Sequence, residues 1–106
     1  MANLVVLSPD LMFGSKIEVT LRSAGHEVTL APSINEAPLD GADLVIADLD
    51  RENPEAIVRL GMPALGYYSH TDVDTRQAAE AAGVDLVVPR SRMAREMPEL
   101  VQRLLS

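Results

Sequence analysis

The sequence predicts a three-layer α/β fold: one doubly wound, five-stranded parallel sheet formed by residues 1–106 as a single domain, with its second and third helices shortened. Three observations lead there. Short apolar runs alternate with stretches of helical period, the pattern that βαβ units leave in a sequence. Gly25 and Gly83 each close a helical stretch just before the next apolar run, as short αβ loops require. A chain of 106 residues with 47% hydrophobic and 24% charged residues suits one core, since single cores occupy about 100–150 residues.

Five runs read as strands: Leu4–Leu7, Glu27–Ala31, Leu44–Ala47, Ala64–Tyr68 and Leu86–Val88. The continuous apolar ones suit strands buried on both faces, whereas Glu27–Ala31 alternates and is expected at an edge. After the first strand, Ser8-Pro9-Asp10 reads as a cap with Ser8 at the N-cap and Pro9 at the first helical position. Phe13, Ile17, Leu21 and Ala24 then line one helix face. The stretch after the second strand lies between Pro32 and Pro38, and that after the third offers two turns starting at Pro54, so both crossovers are expected to be short. Asp72–Ala82 reads as a full helix, with Ser69 or Thr71 as its cap, and Pro98 is placed to open a last helix whose inward face is Val101, Leu104 and Leu105.

Composition narrows the function. The net charge of −7 disfavours a role resting on nucleic-acid phosphates or anionic lipid headgroups. Without cysteine there is no disulfide, thiolate metal site or cysteine nucleophile, and a cytoplasmic location is the default expectation. The apolar runs fall far short of the roughly 20 residues of a membrane span. No paired catalytic acid and base stand out, so an enzyme is not expected.

Ligands of open α/β sheets gather past the carboxyl ends of the strands. Those residues are Ser8, Pro9 and Asp10; Asp48, Leu49 and Asp50; Tyr68, Ser69 and His70; and Val88, Pro89 and Arg90. Asp43-Leu44-Val45-Ile46-Ala47-Asp48-Leu49 at the third strand, Pro63 opening the fourth, Ala82-Gly83-Val84-Asp85 before the fifth and Val88-Pro89 ending it make the chain resemble a response-regulator receiver domain of the CheY-like type. The resemblance spans nearly the whole chain and implies the flavodoxin-like strand order 2-1-3-4-5.

In that family a histidine kinase passes a phosphoryl group to an Asp ending the third strand, and the match here is Asp48. Two acids after the first strand join that Asp in binding Mg²⁺, a hard cation that needs oxygen ligands; here those positions hold Ser8 and Pro9, with Asp10 one residue late. The family's switch Ser/Thr matches Tyr68, with Ser69 one residue on, and its Lys matches Val88, with Arg90 two residues on. Among the positions that carry phosphotransfer, only Asp48 keeps its residue type. The resemblance therefore implies a degenerate member, a pseudo-receiver acting through protein contacts without a cofactor. No metal site is expected, the nearest candidate ligands being Asp10, Asp48 and Asp50.

The alternative is a phospho-accepting regulator in which Asp10 and Asp50 replace the metal acids and Ser69 and Arg90 replace the switch hydroxyl and the Lys; only then is Mg²⁺ expected. A further alternative is a small-molecule-binding domain on the same architecture, though no glycine cluster suits a phosphate loop. The implied partner is a protein, such as a histidine kinase or another signalling protein, or a second copy meeting the face built from Asp72–Ala82, Leu86–Val88 and Pro98–Leu105. Ordinary readings stand beside these. Asp48 and Asp50 read equally as solvated loop acids, Arg90, Arg92 and Arg95 as a solvated basic face, and His26 and His70 as polar loop residues. Of Tyr67 and Tyr68, one is expected in the core and one facing away.

Overall fold

The computed structural model describes residues 2–69 and 73–106. The chain runs β1 (Asn3–Leu7), α1 (Leu11–Ser23), β2 (Glu27–Ala31), β3 (Leu44–Asp48), α2 (Pro54–Val58), β4 (Ala64–Tyr68), α3 (Val73–Ala82), β5 (Leu86–Pro89) and α4 (Arg90–Leu105). The strands form one parallel sheet in the order β2-β1-β3-β4-β5, so β2 is at an edge. The expected cap at Thr71, the helix start at Asp72 and the loop role of His70 lie outside the described residues.

Alternation along the strands divides the core in two. On one face Leu4, Val6, Ile46, Leu65, Tyr67 and Val88 pack against Phe13, Ile17 and Leu21 of α1 and Met93, Met97, Leu100 and Val101 of α4. On the other, Val5, Leu7, Val45, Ala47 and Tyr68 meet Ile57 of α2 and Ala79 of α3. This second layer is thin. The crossover from β2 to β3 contains only a 3-10 turn at Ile34–Glu36, and α2 has five residues, so both shortened connections are more extreme than proline spacing alone dictates.

The structure corrects several details. The N-cap of α1 is Asp10, whose side chain accepts the Met12 and Phe13 N–H groups, so Ser8 and Pro9 both precede the helix. The last helical span, Arg90–Leu105, is two helices meeting at a kink at Glu96 (φ −124°, ψ 15°): Pro98 lies at the start of the second, as expected, and the segment from Arg90 is an additional helix before it. Both tyrosines are buried, on opposite faces, because this sheet is covered on both sides. Gly25 (φ 97°) and Gly83 (φ 101°) do take the left-handed conformation after α1 and α3. Gly66 in β4 answers to packing: a Cβ there would come within 2.6 Å of the Leu49 side chain.

Candidate functional site

The parallel strands bring the residues past β1, β3, β4 and β5 to one corner, where Pro9, Asp10, Asp48, Asp50, Arg51, Ser69 and Arg90 line a cavity of about 320 Å³. Asp48, the last residue of β3, is only 5% exposed, so it is not a solvated loop acid. Its Oδ1 accepts the Asp50 N–H at 2.9 Å. Burial pushes its pKa up and the nearby Asp50 carboxylate adds to this, while the Asp50 N–H, Arg90 and Arg51 oppose. The turn after β3 is closed by the Asp48 carbonyl, which accepts the Arg51 and Glu52 N–H groups. Asp50 in turn bridges two strand ends, its Oδ2 accepting the Ser69 N–H at 2.8 Å.

Asp10 works in two directions. Oδ1 caps α1, and Oδ2 accepts from the Arg90 Nη2 at 2.6 Å. The Arg90 hydrogen bond, with help from the Phe13 N–H, holds its carboxyl below the usual value. The Arg90 guanidinium lies over the Phe13 ring, 4.1 Å from its centroid, and Phe13 meets Tyr67 edge-on at 5.1 Å and 62°. Arg90 is therefore not part of a solvated basic face. Arg92 and Arg95 both pair with Glu96 instead.

Three of the sequence candidates do not line the cavity. Ser8 is buried, its hydroxyl donating to the Asp10 carbonyl at 3.3 Å. Val88 is packed in the core under α1 and α4, and Tyr68 points to the opposite face. Tyr67, wholly buried, makes no hydrogen bond of regular geometry through its hydroxyl. Burial pushes its pKa up to about 12; the nearby Ser8 hydroxyl pulls the other way, and Asp48 adds to the rise.

Of the candidate oxygen donors, Asp10 is bonded to Arg90 and to the helix cap, Asp50 Oδ2 accepts the Ser69 N–H and Asp48 Oδ1 the Asp50 N–H, while Pro9 supplies no side-chain oxygen. Among the described residues, no three His, Cys, Asp or Glu side chains stand close enough to hold a metal ion. Arg51 and Phe13 join the site as residues the strand-end pattern does not name: Arg51 follows Asp50 in the loop after β3, a position that pattern could reach, whereas the sequence marks Phe13 only as a core position of α1.

No family model and no curated protein matches the chain. Solved structures do. The chemotaxis protein CheY4 of Vibrio cholerae aligns over 99% of both chains at 20% identity with a TM-score of 0.83. A response regulator receiver domain from Clostridium thermocellum covers 99% of this chain and 94% of its own, at 18% identity and a TM-score of 0.85. The non-phosphorylated HemR receiver domain of Leptospira biflexa covers 100% and 95%, at 21% identity and a TM-score of 0.82. The chain thus has the CheY-like, flavodoxin-like fold of response-regulator receiver domains.

Proposed function

We propose that this chain is a receiver-like signalling domain that acts by binding another protein and does not run Mg²⁺-dependent phosphotransfer to Asp48. The observation that carries the reading is the Asp10–Arg90 ion pair across the cavity beside Asp48. Phosphoryl transfer is catalysed almost wholly by positioning and by charge placed against the phosphoryl oxygens. Here the nearest carboxylate to a metal position already serves an arginine, the preceding residue is Pro9, and the residues at the switch and Lys positions, Tyr68 and Val88, are both buried away from the cavity.

The surface supports an output through protein contact. Val73 opens α3 at 60% exposure, and Ala78 and Ala81 of that helix are exposed beside it. The α3, β5 and α4 face is the proposed docking side, for a signalling protein such as a histidine kinase or for a second copy, in the cytoplasm.

A phospho-accepting regulator is the second reading, favoured by one observation: Asp10, Asp50, Ser69 and Arg90, the substitutes it requires, all line the cavity with Asp48. Titration with MgCl₂ followed by backbone amide NMR separates the two. The proposal expects no saturable shift at Asp10, Asp48 or Asp50; saturable shifts at all three would overturn it in favour of the second reading.

A further inference from the structure

Arg90 is the first residue of α4, which carries no acid in its first turn. A cation there faces the positive end of the helix dipole, so its own helix does not favour its charge. What holds the guanidinium is the other side of the cavity: the Asp10 Oδ2 at 2.6 Å along its edge and the Phe13 ring 4.1 Å below its plane. The ring is itself fixed, buried and braced edge-on by Tyr67. One carboxylate in line with a guanidinium and one aromatic face beneath it make a receptor for a flat, delocalised cation, since guanidinium stacks and bonds in a fork where an ammonium is a hydrated point charge. A divalent ion, which binds through oxygen ligands, has no use for an aromatic face.

We infer that the Asp10–Phe13 wall of this cavity is a guanidinium site occupied from within the chain, Arg90 acting as its resident counter-cation. The occupant ties the start of α1, through Asp10 and Phe13, to the start of α4, and it offsets part of the charge of Asp10, Asp48 and Asp50 at all times. That part of the corner's charge is offset without any exchangeable ion. This rests on the reading that the cavity does not use a divalent cation.

Chemical rescue tests it. Arg90→Ala vacates the site, and its melting temperature is measured with methylguanidinium, methylammonium or Mg²⁺ at matched ionic strength. Methylguanidinium is expected to raise the melting temperature of Arg90→Ala in a saturable way, beyond any change in the wild type, and to do nothing for the Asp10→Asn/Arg90→Ala double variant; methylammonium and Mg²⁺ are expected to fall short of it. Arg90→Lys, which keeps the charge and should fold in any case, is expected to melt below the wild type and to lose the ring-current shift that Phe13 gives the Arg90 side chain. Rescue no better than that by methylammonium, or an Arg90→Lys protein indistinguishable from wild type, would overturn the inference while leaving the wider reading standing. Greater rescue by Mg²⁺ would overturn both.

Discussion

Asp10 and Arg90, eighty residues apart in the chain, meet at 2.6 Å across the mouth of the strand-end cavity. Each side chain has a second anchor, the α1 N-cap for Asp10 and the Phe13 ring for Arg90. The contact therefore joins the two helices that cover one face of the sheet at the end where Asp48 lies.

Two neighbouring acids show pH behaviour of opposite sign, Asp10 through its pairing with Arg90 and Asp48 through its burial. Asp10 titrates below its ordinary value in the folded chain, so it stabilises the fold above that value, and the contribution is lost as pH falls through the folded pKa. Asp48 titrates above its ordinary value, so its charge opposes folding at neutral pH and the penalty disappears on acidification. Asp10→Asn should therefore melt lower than the wild type at neutral pH, and Asp48→Asn higher, with both differences shrinking in acid. Melting curves across the acid range check both directions.

Tyr67 carries a buried hydroxyl with no regular partner. Leaving such a group unpaired costs about 1–3 kcal/mol, so Tyr67→Phe should be at least as stable as the wild type by urea unfolding. A clear loss of stability would mean that the hydroxyl is bonded to Ser8 after all.

The same phenol predicts alkaline sensitivity. Between its ordinary value of 10.0 and about 12, the unfolded chain releases the Tyr67 proton and the folded chain keeps it, so stability should fall as pH rises. The full slope for one proton is about 1.4 kcal/mol per pH unit. Urea unfolding of wild type and Tyr67→Phe in that range should show a steeper loss for the wild type.

Gly66 lies under the Leu49 side chain, with a Cβ position 2.6 Å from the Leu49 Cδ1. Gly66→Ala should cost about 1–3 kcal/mol by overpacking, and adding Leu49→Ala should recover part of that loss. Simple additivity of the two substitutions would argue against this account of the glycine.

The strands were legible in the sequence because burial on both faces leaves continuous apolar runs, as in Leu44–Ala47, and the edge position of β2 showed in its alternation. Landmarks past the strand ends were legible for the same reason, since a parallel sheet puts them at one end. The helix starts were less so. Ser8 and Asp10 are both good caps, and only the fold decides that Asp10 faces the Met12 and Phe13 N–H groups while Ser8 is buried. Pro98 carries a helix-start signal and a helix does begin there, but the preceding helix from Arg90, packed through Met93 and Met97, showed no such signal. The role of Arg90 was hidden because it depends on two partners on α1, and local pattern says nothing about contacts over such a separation.

The most direct test of the account is phosphorylation itself. Wild type and Asp48→Asn are incubated with acetyl phosphate and Mg²⁺ and their intact masses compared. The account predicts no stoichiometric phosphate adduct on either protein. A stoichiometric adduct on the wild type that is absent from Asp48→Asn would contradict it and make Asp48 a working phospho-acceptor.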